Sequence, residues 1–167
     1  MPARRALASD GGSKKDMPDS LAEKFRADLD EIHRALIAVP VDLANLPWRD
    51  GGWTRKQIVG HLLDSAANNR QRFVRAATDG EYTGPKYAQN AWVDAHGYAN
   101  QPWGTLLSWW EAEHEILMAV VDHIPEGRLE AKCVVGDDPP ASLRFLIEDY
   151  VVHQRWHLKQ ILTGMAR

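Results

Sequence analysis

The sequence predicts an all-α fold, an up-down four-helix bundle, on three observations. Four segments, 20–38, 55–78, 102–123 and 143–163, place apolar residues at three- and four-residue spacing with charges between them. Pro and Gly punctuate the joins between these segments. No run shows the strict alternation of a half-buried strand. Helices of this length, each with one apolar face, bury that face by packing together.

The first helix sets Leu21, Phe25, Leu29, Ile32, Leu36 and Val39 on one stripe, and Pro40 stops it. A loop with Pro47, Trp48, Gly51 and Gly52 follows. Thr54 and Gln57 have the spacing of a capping box, and Trp53 and Ile58 flank it as a hydrophobic staple would. The second helix therefore starts at 55, and Asp79-Gly80 ends it. Residues 80–87 read as loop, and 88–98 as a short helix or turn. Pro102 opens the third long helix, which Pro125 and Gly127 close. Residues 128–140 read as a loop with at most a short extended piece around Cys133-Val134-Val135. Ser142 caps the last helix and Gly164 ends it.

Composition narrows the function. The 167 residues suit one domain, 19–167, behind a mobile tail at 1–18 in which Met17 is a second candidate start. The tail carries a net charge of +2, which leaves about −5 on the rest of a chain of net charge −3. That balance gives no electrostatic footprint for nucleic acid. The N-terminus lacks the apolar segment of a secretory signal, and no apolar run approaches the roughly 20 residues that span a bilayer. The single cysteine, Cys133, has no internal disulfide partner and is read as an inert loop thiol. A cytoplasmic protein with no membrane partner is the expectation.

Three histidines carry the candidate chemistry. His153 and His157 are four apart on the last helix, so their imidazoles are neighbours. Leu143, Ile147, Tyr150 and Ile161 define that helix's core stripe; His157 falls inside it and His153 on its shoulder. Polar groups so placed need partners. A shared metal supplies them; so do carbonyls or water. On the second helix, a polar flank of His61, Ser65, Asn68 and Arg72 lies beside the apolar stripe Ile58, Leu62, Ala66, Phe73 and Ala77, which suits either a cleft or a solvated face. Three neutral imidazoles suit a divalent transition metal and leave at least one position open. Asp64, three residues after His61, and Asp149, four before His153, are candidates to orient a ligand imidazole, or are plain surface carboxylates.

The remaining histidines, His33, His96, His114 and His123, lack a partner at metal spacing; His114, between Glu113 and Glu115, is read as solvated. Of Trp109 and Trp110, at most one can face the core. Trp92 is the one tryptophan assigned to pocket lining.

The segment Trp53-Thr-Arg-Lys-Gln-Ile-Val-Gly-His61-Leu-Leu-Asp64-Ser65, with Arg72-Phe73, Tyr87-Ala-Gln-Asn-Ala-Trp92-Val, Tyr98 and Asp149-Tyr-Val-Val-His153-Gln-Arg-Trp-His157, resembles the DinB/YfiT-like superfamily of metal-dependent proteins. The resemblance runs through most of 48–163. It implies a four-helix bundle with His61, His153 and His157 holding one divalent metal, zinc or nickel. It further implies a low-molecular-weight thiol as cofactor, a small electrophile as its acceptor, and a homodimer, since dimers are common among relatives. The leading expectation is a metal-dependent transferase that adds the thiol to the electrophile. Arg72 would hold a thiol carboxylate and Asn68 would orient the substrate. A hydrolase using a metal-activated hydroxide, and a non-catalytic metal-binding stress protein, are the alternatives.

Overall fold

The computed structural model describes residues 20–165; the expectations for the tail and for Met17 lie outside the described residues. Four long helices form the body: α1 (Leu21–Ile37), α3 (Arg55–Asp79), α5 (Trp103–Asp122) and α6 (Leu143–Ile161). A single-turn helix, α2 (Val41–Ala44), interrupts the loop after α1, and α4 (Gln89–His96) fills the predicted short-helix region.

The helix starts follow their capping chemistry. Ser20 and Glu23 close a capping box on α1, and Thr54 and Gln57 close the predicted one on α3. The Ser142 hydroxyl accepts from the Phe145 amide at the start of α6. Gly80 ends α3 at φ +86°, in the left-handed region where a side chain would be strained.

The stripe on α1 is buried as its periodicity requires: Phe25, Leu29, Ile32 and Leu36 are all inaccessible to solvent or nearly so. Each such burial contributes about 1.5–3 kcal/mol. Ile58, Leu62, Ala66 and Phe73 of α3 and Leu143, Ile147 and Ile161 of α6 complete the same core.

The bundle is present, but its helices do not simply alternate. α1 and α5 are antiparallel, with Arg26 on Asp122 and His33 near Glu111. α1 and α6 are parallel, since Phe25 packs on Tyr150 while Asp28 and Glu31, farther along, bond Arg155. α3 and α6 are antiparallel, with Arg55 at Ile161 and Phe73 at Tyr150. The order is therefore up, down, down, up. The cause is the connection 80–102, which carries the chain back along the bundle before α5 begins.

That connection also contains a strand, where sequence periodicity shows only loop. β1 (Glu81–Gly84) pairs in parallel with β2 (Lys132–Val135), and β2 pairs antiparallel with β3 (Ala141–Ser142). Four-residue strands give almost no periodic signal, and the parallel register Glu81↔Lys132 joins segments that no local rule connects. Cys133 thus sits in a strand, buried, with its thiol pushed up by burial.

Two buried polar clusters tie the helices together. The Arg55 guanidinium, 3% exposed, donates to the carbonyls of Ile161 at 2.7 Å, Leu46 at 3.0 Å, Pro47 at 3.2 Å and Thr163 at 2.5 Å. The start of α3 thereby caps the end of α6. The second cluster is a closed circuit, and it overturns the solvated reading of His114, which is 1% exposed. His114 Nδ1 donates to the Trp110 carbonyl at 2.7 Å, so Nε2 accepts from the Tyr150 hydroxyl at 2.6 Å. Tyr150 in turn accepts from Gln154 at 2.8 Å, and Gln154 accepts from the Trp110 indole at 3.4 Å. The neighbouring glutamates say little here, because at 100° per residue they point to other faces than His114. Trp110 is buried and Trp109 is 43% exposed, as one core position for two adjacent residues requires.

Candidate metal centre

The Arg55 clamp sets the register of α3 against α6 and so brings His61 opposite His153 and His157. One ring nitrogen from each of the three lies within 4.8 Å of the others. His61 Nε2 and His153 Nε2 are 3.1 Å apart. Two nitrogens at about 2.0–2.1 Å from a tetrahedral ion stand about 3.3 Å apart, so the His61–His153 pair matches one ion in size, and the three imidazoles match it in chemistry.

The outer face of each ring has its own partner. The Tyr87 hydroxyl lies 3.4 Å from His61 Nδ1, Ser65 Oγ 3.5 Å from His153 Nδ1, and Gln160 Oε1 2.8 Å from His157 Nδ1. In the tautomers with the proton on the outward Nδ1, the inward nitrogens keep their lone pairs for a shared ion. Trp53 packs on His61 at 5.2 Å and Trp156, itself exposed, reaches His157 at 4.5 Å.

Desolvation keeps these imidazoles uncharged. Burial, reinforced by repulsion from His157 and His153, holds His61 down to about 3. Burial, then repulsion from His153, holds His157 at about 4, and burial lowers His153. Each neutral ring keeps one N–H and one ring-nitrogen lone pair, and an uncharged ring with its lone pair turned inward is the state a cation requires. Burial, with the Asp64 charge nearby, pushes the Tyr87 phenol up, so it stays a neutral hydroxyl whose oxygen can accept from an outward His61 Nδ1–H.

His153 opens on a cleft of about 300 Å³ between α3, α6 and the 80–102 connection. Ser65, Asn69 and Arg72 line it from α3, Lys86 and Tyr87 from the connection, and Asp149 and Tyr150 from α6. A more apolar cavity of about 550 Å³, lined by Cys133, Pro139, Pro140 and Phe145, adjoins it and shares Val135, Asp138, Leu146 and Asp149 as walls.

Not every residue singled out from the sequence faces this centre. Asp64 is buried but turned toward α4: its Oδ1 accepts from the Tyr98 hydroxyl at 2.7 Å and lies 3.3 Å from His96 Nδ1. It bonds none of the three imidazoles, because a residue three positions from His61 is rotated some 60° away from it. Asn68 is spent on the Asp64 carbonyl at 2.8 Å, and its neighbour Asn69 lines the cleft instead. Trp92 lines neither cleft but packs on Tyr87 at 5.0 Å. Asp149 lines the cleft and is exposed, without a bond to His153. Ser65 and Arg72 face the cleft. Tyr87 and Gln160 are the partners that sequence reasoning missed. Gln160, three residues after His157, has a helical spacing that points to it; Tyr87 sits in a connection with no periodicity to place it.

The sequence profile of the DinB superfamily matches residues 21–161. The chain belongs to the DinB superfamily. Among DinB relatives, a protein of Bacillus mycoides is 32% identical over 153 residues, covering 92% of this chain and 82% of that protein. One from Oceanobacillus iheyensis is 27% identical over 144 residues, covering 84% of this chain and 83% of its own. Both are named provisionally as metal-dependent hydrolases. The fold is that of YfiT from Bacillus subtilis, with a TM-score of 0.75, 22% identity, and coverage of 96% of this chain and 89% of that one. YfiT is described as having an unusual four-helix bundle topology. A mycothiol-dependent maleylpyruvate isomerase shares the fold at a TM-score of 0.72 and 15% identity; the match spans 86% of this chain and 60% of that longer one. Among the described residues, no helix is long and apolar enough to cross a membrane.

Proposed function

We propose that His61, His153 and His157 hold one divalent metal ion, zinc or nickel, and that the protein uses it to transfer a low-molecular-weight thiol to a small electrophile. The observation that carries the reading is the convergence of three neutral ring nitrogens within 4.8 Å beside an open polar cleft. When bound, such an ion draws a thiol into its thiolate form at neutral pH and so supplies a nucleophile. The chain's own residues do the rest. Tyr87, Ser65 and Gln160 orient the three rings from outside. Trp53 and Trp156 pack on two of them and limit water around the donors. Arg72 offers a guanidinium to an anionic group of the thiol, and the adjoining apolar cavity accommodates the carbon skeleton of the electrophile.

The provisional naming of the relatives favours a second reading, hydrolysis by a metal-activated water, with Asp149 the cleft carboxylate nearest in helical position to act as base. Elemental analysis of protein purified without a metal-affinity step, beside a His61→Ala variant, tests the site: one metal per chain in the first and none in the second is expected. Equal metal in both would refute it. Assay of the loaded protein with and without added thiol then separates transfer from hydrolysis.

A further inference from the structure

We propose that Asp64 is a positioning residue for the metal centre: it anchors the far end of the 80–102 connection and thereby holds the Tyr87 hydroxyl against His61. This rests on the metal reading above and adds to it a residue that touches none of the three imidazoles.

The anchor is built from both sides of one turn. Gly97, at φ +60°, reverses the chain after α4, so His96 and Tyr98 converge on one carboxylate oxygen. The Tyr98 hydroxyl donates to Asp64 Oδ1 at 2.7 Å. His96 Nδ1 lies 3.0 Å from the Trp92 carbonyl oxygen and 3.3 Å from the same Oδ1; both neighbours accept, so Nδ1 carries the proton. The His96 ring stacks on the Tyr98 ring at 5.0 Å. Tyr98 in turn lies over Gly60 of α3, where any side chain would collide with its ring.

Among the described residues, the Asp64 side chain bonds nothing but this turn. Its second oxygen, Oδ2, is buried and has no partner among them. A buried acceptor left unserved is costly, and an apolar side chain of similar size would avoid that cost. The benefit of a carboxylate here is therefore confined to the 96–98 turn.

The anchored segment leads back to the metal centre in two contacts. Trp92, one turn before His96 in α4, packs on Tyr87 at 5.0 Å, and the Tyr87 hydroxyl lies 3.4 Å from His61 Nδ1. Of the residues of α4, only Val93 is buried. A short helix with one buried side chain is held weakly by packing, so the bonds to Asp64 decide where Trp92, and with it Tyr87, comes to rest.

The experiment uses the full chain and zinc, with affinity read by competition with a chromophoric chelator. Tyr87→Phe removes the outer partner of His61 and is expected to weaken zinc about tenfold. Asp64→Ala should weaken it about as much by the same route, so the double variant should be no weaker than Tyr87→Phe alone. Asp64→Asn keeps an oxygen for the Tyr98 hydroxyl and should stay within about threefold of wild type. With chelator present and no metal, amide exchange over 91–97 should rise about tenfold in Asp64→Ala and stay unchanged over α1. Losses that multiply to about a hundredfold in the double variant would overturn the proposal and leave the metal reading standing. So would unchanged exchange over 91–97, or an Asp64→Asn variant as weak as Asp64→Ala. Zinc held no more tightly by wild type than by His61→Ala would overturn the metal reading, and this inference with it.

Discussion

Lowering the pH should destabilise the fold through His114, a group outside the candidate metal centre. His114 is 1% exposed, and burial, with His33 adding repulsion, holds its imidazole down from 6.5 to about 3. The folded protein therefore keeps this ring neutral where the unfolded chain protonates it. A base with a depressed folded value stabilises fully above the unfolded value and loses that contribution as pH falls from about 6.5 toward 3. Between pH 7 and pH 5 the unfolded ring gains about 0.7 of a proton and the folded ring almost none, which amounts to about 2 kcal/mol. His114→Asn isolates the effect, because its amide can still donate to the Trp110 carbonyl that Nδ1 now serves. Urea unfolding of both proteins, followed by far-ultraviolet circular dichroism with chelator present, gives the difference directly. Other titrating groups, Asp64 among them, cancel between the two proteins. The expected result is a loss between pH 7 and pH 5 that is about 2 kcal/mol smaller in the variant. Parallel stability curves would show that His114 is not a buried neutral ring and would break the circuit deduced for it.

Three further outcomes follow from the geometry. Tyr150→Phe leaves His114 Nε2 and the Gln154 amide without their partners in the core, which should cost about 2–4 kcal/mol in thermal or urea unfolding. Gln160→Leu removes the outer partner of His157 and should weaken metal affinity about tenfold or more in competition with a chromophoric chelator, while the circular dichroism spectrum stays unchanged. Gly60→Ala would bring a methyl group to 2.0 Å from the Tyr98 ring, so the ring must move off Asp64; a loss of about 1–3 kcal/mol in urea unfolding is expected.

The sequence was informative wherever a local rule applied. Helix starts at Arg55 and Leu143 follow from the residues that cap them, and the buried faces of α1, α3 and α6 follow from 3.6-residue spacing. The same rule placed His153 and His157 side by side and put His61, Ser65 and Arg72 on one flank. It failed where one turn of helix offers two similar positions, so that Asn69 and not Asn68 meets the cleft.

What the sequence by itself determined, then, is the set of long helices, their apolar faces and the identity of the three histidines. Only tertiary structure decided the helix directions, because the return path at 80–102 depends on a parallel strand pair between Glu81 and Lys132, 51 positions apart in the chain. It also decided the fate of His114 and Asp64, and it supplied Tyr87 and the Arg55 clamp. The physical reason is common to all of these. Capping and periodicity are energies between near neighbours in sequence, whereas a buried polar group is satisfied by whichever distant segment the packed core brings within hydrogen-bond reach.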